Sequence, residues 1–162
     1  MTTAFIALGS NLGQRHSILR DALAQIAQIP ATQVLGAASF RETMPVDCPP
    51  DTPRFVNSVA RIETKLGATE LFRFLVNIER DLGRRRSSRL HESRTIDLDL
   101  LLYDDVILSE PDVIVPHPRM HLRRFVLEPL AEIAPDVRHP VSGKTARQML
   151  ADLPTATERT AE

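Results

Sequence analysis

Apolar and polar positions alternate most clearly in the second half of the chain, where Ile96, Leu98, Leu100 and Leu102 are interleaved with Thr95, Asp97 and Asp99. A period of two predicts a β-strand over 94–103, with the alternation blurring at Leu101. Strands are also predicted at 4–8, which is short and apolar, at 34–40, and at 55–62. In the last of these, Phe55, Asn57, Val59 and Arg61 share one face, and Val56, Ser58, Ala60 and Ile62 share the other. Short strands are further read at 106–108 and 113–115.

Helical spacing follows two of the strands. From about Gln14, Leu19, Leu23 and Ile26 form a stripe widened by Ile18 and Ala22, and Pro30 closes the segment. Thr69 is placed to cap a helix carrying Leu71, Leu75, Ile78 and Leu82, with Gly83 as its terminating glycine. Glu79 lies at the margin of that stripe, ordinarily the place of a solvated flank residue. Pro129 is expected near the start of a piece containing Leu130 and Ile133, and a last helix spans about 145–153. Between these elements, Gly9-Ser10-Asn11-Leu12-Gly13 reads as a tight strand-to-helix turn, without the endings of a P-loop or a dinucleotide fingerprint. The segment 41–53 holds four prolines and is expected to be a long surface loop. The order of elements predicts an α+β fold of the ferredoxin-like kind, an antiparallel sheet with helices packed on it in α/β/α layers.

Composition narrows the classes. A length of 162 residues is expected to form one domain over 1–162, with a frayed tail from about 154. The balance of 20 basic and 21 acidic residues gives no global attraction to nucleic acid or to an anionic membrane. No apolar run approaches the ~18 residues of a membrane span. The N-terminus lacks the basic region of a signal peptide, and the single Cys48 forms no internal disulfide and no zinc motif. A cytoplasmic protein is expected.

Candidate chemistry centres on Asp97 and Asp99. On a strand they point to the same face, roughly 6.5 to 7 Å apart, and repel each other unless a cation lies between them. Their hard oxygens suit Mg²⁺ better than zinc. An edge strand whose two aspartates face water has the same pattern and is the commoner case. The segment 84–94 immediately before them carries five arginines and only His91 as a ring for base stacking, which disfavours an RNA surface. Arginines opposite a metal-binding carboxylate pair suit a polyphosphate, clamped from both sides. The loop 116–125 adds two histidines and three arginines, and no histidine shows zinc spacing. Two rivals stand beside this reading: a non-catalytic ferredoxin-like module binding RNA or a small ligand, and a metal-dependent nuclease with Glu79 as a further acidic ligand.

Taken together, Ala7-Leu8-Gly9-Ser10-Asn11-Leu12-Gly13, Phe55-Val56-Asn57, Ile78-Glu79, Gly83-Arg84, Arg94-Thr95-Ile96-Asp97-Leu98-Asp99 and Val115-Pro116-His117-Pro118 through Pro129-Leu130 resemble one family in order and spacing. It is the 6-hydroxymethyl-7,8-dihydropterin pyrophosphokinase family of folate biosynthesis. The resemblance runs from Ala4 to about Leu150 and implies transfer of the β,γ-pyrophosphoryl group of ATP to the pterin hydroxymethyl oxygen, leaving AMP. It implies two Mg²⁺ ions on Asp97 and Asp99, with Arg84 and Arg94 also catalytic. It assigns the pterin to Thr43, Val46, Phe55, Asn57 and Phe125, and ATP to Glu79, Arg84, Arg86, Arg94, His117 and Arg123. The expected partners are these small molecules, with no nucleic acid or membrane, and the expected state is a monomer. The segments 41–54 and 84–93 match regions that close over substrates. No fused aldolase or synthase domain is expected. This chain departs from many relatives in having His91-Glu92-Ser93 before the Arg-Thr-Ile-Asp segment, no tryptophan, Asp112 where some have an arginine, and Pro118 where some have a tyrosine.

Overall fold

The computed structural model describes residues 1–11, 14–43, 54–86 and 96–154, with 84–86 described as backbone only. Its main sheet contains β1 (Thr2–Ser10), β2 (Thr32–Ala37), β3 (Arg41–Thr43), β4 (Phe55–Thr64) and β5 (Ile96–Tyr103). The order is β2-β4-β1-β5, antiparallel throughout, and β3 extends the sheet alongside β4 beyond the end of β2. Helices α1 (Arg15–Ala27) and α2 (Ala68–Arg86) connect strands, while α3 (Arg124–Ile133) and α4 (Ala146–Ala151) follow a small hairpin of β6 (Leu108–Ser109) and β7 (Ile114–Val115). This is the predicted α+β, ferredoxin-like arrangement.

Strand alternation sorts the core into two clusters. Ala4, Ile6 and Leu8 of β1, Val56, Ala60 and Ile62 of β4, and Ile96, Leu98 and Leu100 of β5 pack against the buried stripes of α1 and α2. Phe5 and Val59 face the opposite way, into a cluster with Leu101, Leu102, and the Val126, Leu127 and Leu130 stripe of α3. The blurred alternation at Leu101 is a β-bulge: Ile6 pairs with Leu100 but Phe5 with Leu102, so one extra residue is accommodated. Leu101 and Leu102 thereby both join the second cluster. Each fully buried Leu, Ile or Val contributes roughly 1.5–3 kcal/mol relative to exposure, which makes these two layers the main source of stability.

Several boundaries differ from those expected. Gly9 and Ser10 belong to β1 rather than to a turn, because both are paired on two sides, with β4 and with β5. Residues 41–43 are a strand rather than loop, and residues 44–53 lie outside the described residues. Strand β2 starts earlier than predicted and ends at Ala37. Thr69 lies inside α2; Gly67 precedes the helix, its carbonyl accepting from Leu71 N at 2.9 Å. Gly83 does not end α2, which continues to Arg86. Pro129 sits buried in the interior of α3 rather than near its start. The last helix is capped by Thr145 in a capping box with Gln148.

Candidate functional site

Among the described residues, helices lie over only part of the second face of the sheet. Helix α3 lies over the Phe5 and Val59 region, whereas the other end of that face carries small and polar residues. The strand registers align Arg41 with Asn57, Asn57 with Gly9, and Gly9 with Asp97. Paired residues share a face, so these four form one row across β3, β4, β1 and β5. A second row joins Val59, Ala7 and Asp99, and Thr43 pairs with Phe55. The result is a trough floored by Gly9 and Ala7, with Asn57 and Asp97 on either side, two strand spacings or about 10 Å apart in backbone terms.

Each wall has its own supports. Asn57 is buried, and its Nδ2 donates to Thr43 Oγ1 at 2.6 Å. Strand β3 is tied to α3 through Glu132, whose carboxylate accepts from Ser39 N at 3.0 Å and Ser39 Oγ at 2.8 Å and pairs with Arg41 at 2.6 Å. The Ser39 amide and hydroxyl and the Arg41 guanidinium hold the Glu132 carboxyl below its usual range. On the opposite wall, Asp97 is exposed and Asp99 half-buried.

Strand β5 is an edge strand, as the plainer reading of Asp97 and Asp99 requires, but part of its edge is already occupied. Leu98 N donates to Glu79 Oε2 at 2.6 Å, and Leu101 O accepts from His117 N at 2.9 Å. Glu79 is thus a strand partner rather than a solvated flank residue. Burial, offset in part by the Leu98 hydrogen bond and aided by the charges of Asp97 and Asp99, raises its pKa to about 7. His117 is shifted down, first by burial, then by Arg123 and Arg119, against the upward pull of Asp99. Its Nδ1 accepts from Arg119 N at 3.1 Å, which leaves Nε2 as the protonated nitrogen of the neutral ring. Arg123 lies over the Phe125 ring, 5.5 Å from its centroid, and its buried Nε has no hydrogen-bond partner in the protein among the described residues.

Of the residues singled out in the sequence, Asp97, Asp99, Asn57, Thr43 and Phe55 come together on or beside the open trough. Glu79 and His117 reach the edge of β5 next to the aspartates, and Arg123 and Phe125 form a pair at the start of α3. Val46 and Arg94 lie outside the described residues, and Arg84 and Arg86 are described only as backbone at the end of α2. Sequence reasoning missed Glu132, Ser39 and Arg41 as a support of the trough, since a three-residue strand is too short to show a period. It also placed Gly9 in a turn; a glycine inside a strand was the available signal of a close approach. Among the described residues, no three of His, Cys, Asp and Glu group as a metal site.

Fold and site together define a class: ferredoxin-like α+β proteins with a polar trough on one sheet face beyond the end of its packed helix, an amide on one side and a carboxylate pair on the other. The family model described as 7,8-dihydro-6-hydroxymethylpterin-pyrophosphokinase matches residues 5–135. The chain belongs to that family, and it is an enzyme of the pyrophosphokinase type. It is 44% identical over 142 residues to the 2-amino-4-hydroxy-6-hydroxymethyldihydropteridine pyrophosphokinase of Haemophilus influenzae, covering 88% of each chain. The protein of that name from Bacillus subtilis is 45% identical over 134 residues, or 83% of this chain and 79% of the relative. A crystal structure of Plasmodium falciparum HPPK-DHPS superposes with a TM-score of 0.70 at 13% identity, over 93% of this chain and 45% of that one. The last likeness concerns the fold, and this chain spans less than half the length of that solved chain.

Proposed function

We propose that this chain transfers the β,γ-pyrophosphoryl group of ATP to the hydroxymethyl oxygen of 6-hydroxymethyl-7,8-dihydropterin, releasing AMP, as a step of folate biosynthesis. The observation that carries the reading is the cross-strand row of Asn57, Gly9 and Asp97, with Asp99 in the neighbouring row. A flat polar bicycle fits the floor made by Gly9 and Ala7, and its hydrogen-bonding edge would meet Asn57. Its hydroxymethyl arm would then extend toward the aspartates. Phe55 and Phe125 are proposed to stack on the ring, with Thr43 and Val46 completing its contacts.

The carboxylates fit Mg²⁺ by the chemistry of their donor set: hard oxygens on one face, close enough to raise the pKa of the nearby Glu79. Asp97 and Asp99 would hold two such ions, which when bound neutralise phosphate charge and polarise the β-phosphorus. Glu79, whose carboxyl hydrogen-bonds the β5 backbone, keeps that strand in register under the aspartates. Arg123, with its buried Nε open for an acceptor, and His117 are proposed to meet phosphate or nucleotide oxygens, together with Arg84, Arg86 and Arg94. In such transfers the protein contributes positioning and electrostatics more than covalent chemistry. The test is AMP formation from ATP and the pterin, with and without Mg²⁺. AMP that depends on both supports the reading. A folded protein that binds neither ATP nor the pterin would end it.

A further inference from the structure

Gly9 lies in β1, an inner strand of the main sheet, and is paired there on both sides, with Asn57 of β4 and Asp97 of β5. Glycine weakens such a position, because it packs nothing and is the most costly residue to order. The backbone does not ask for it: among the described glycines only Gly143 has a positive φ. What asks for it is a side chain. A Cβ built on Gly9 would stand 2.7 Å from Asn57 Oδ1, closer than van der Waals contact permits, while the nearest backbone atom, Val56 O, is 4.0 Å away. The other end of the same amide is held by Thr43, which accepts from Nδ2 at 2.6 Å.

We infer that Gly9 is a positioning residue for the pterin site: its missing side chain lets the Asn57 amide lie across β1, with Nδ2 on Thr43 and Oδ1 presented as an acceptor to the trough. The inference rests on the assignment of Asn57 to the pterin under the proposed function. The atom in conflict is the far end of a flexible side chain rather than backbone, so the chain carrying Gly9→Ala folds, and the amide turns away instead. The consequence falls on the heterocycle and not on the nucleotide, because Asn57 and Thr43 stand on the wall opposite Asp97 and Asp99.

The experiment compares wild type, Gly9→Ala, Asn57→Ala and the double variant by steady-state kinetics and thermal unfolding. It adds the side-chain amide ¹⁵N–¹H signals of Asn57 in the unliganded protein, with Thr43→Val marking the shift on loss of the hydrogen bond. Gly9→Ala should raise the pterin KM about tenfold while the ATP KM and Tm stay near wild type, and should add less than about twofold in the Asn57→Ala background, since two residues acting through one contact are not additive. Its Asn57 amide signal should move to the Thr43→Val position. An unmoved amide signal, or penalties that multiply in the double variant, would overturn the inference. A wild type that makes no AMP from ATP and pterin would instead strike the functional reading, and the amide signal would still decide whether Gly9 sets the orientation of Asn57.

Discussion

On one face of the sheet, α1 and α2 press Ile18, Leu19, Ile26, Leu71, Leu75 and Leu82 onto Ile6, Leu8, Ala60 and Ile62, and all of these are buried. On the other face, α3 and α4 do the same over Phe5, Val59 and Leu101 but stop short of the end where Gly9, Asn57 and Asp97 are aligned. The strands are the same; what differs is whether a helix covers them. Positions under the helices contribute stability through buried apolar area, and the end beyond them keeps polar groups whose solvation or pairing a ligand can exchange. A protein can hold both only if alternation along each strand keeps them apart, and here a single bulge in β5 lets Leu101 and Leu102 both pack under α3 while Asp97 stays exposed and Asp99 half-buried.

That division can be broken at either side. Asp97→Ala should lower kcat by about a thousandfold or more, if metal stabilisation of transferred phosphate is worth several kcal/mol, with unfolding unchanged; near wild-type turnover would remove Asp97 from the reaction. Leu75→Ala, in the fully covered face, should cost about 2–5 kcal/mol in urea unfolding while leaving kcat within about twofold. A comparable loss of activity in the folded variant would mean that the two faces are coupled. Glu132→Gln, at the boundary where α3 grips β3, should cost about 1 kcal/mol and raise the pterin KM more than the ATP KM. Equal effects on both would make Glu132 a general structural contact.

The smallest effect concerns pH. Glu79 binds its proton more tightly folded than unfolded, with a pKa raised from 4.5 to about 7. Its favourable contribution to the metal-free protein is therefore complete below about 4.5 and is lost as pH rises through about 7. Relative to Glu79→Gln, the wild type should lose on the order of 1 kcal/mol over that interval, because the group is partly exposed and its linkage is screened. A flat difference between the two proteins across pH would show that Glu79 does not titrate there. Excess Mg²⁺ should reduce the difference, by relieving the charge of Asp97 and Asp99.

Local pattern was enough for much of this. Alternation in 55–62 and 96–102 assigned Asn57 and the two aspartates to their faces, and helical spacing found the buried stripes of α1 and α2, because these periods follow from backbone geometry within one segment. That Asp97 and Asp99 share a face was readable for the same reason: their spacing alone sets them side by side. Pairing between strands is a different kind of fact. That Gly9 is strand rather than turn, that Arg41–Thr43 pairs with β4, that Glu79 bonds Leu98 across the edge of β5, and that Glu132 holds Ser39 and Arg41 from α3 all depend on residues distant in sequence. So does the continuation of α2 past Gly83, which packs close to Ile96. The sequence by itself determined which residues can share a face and what their side chains can do; the tertiary structure decided which faces are covered and which residues stand opposite one another, because burial and cross-strand register arise only when separate segments meet.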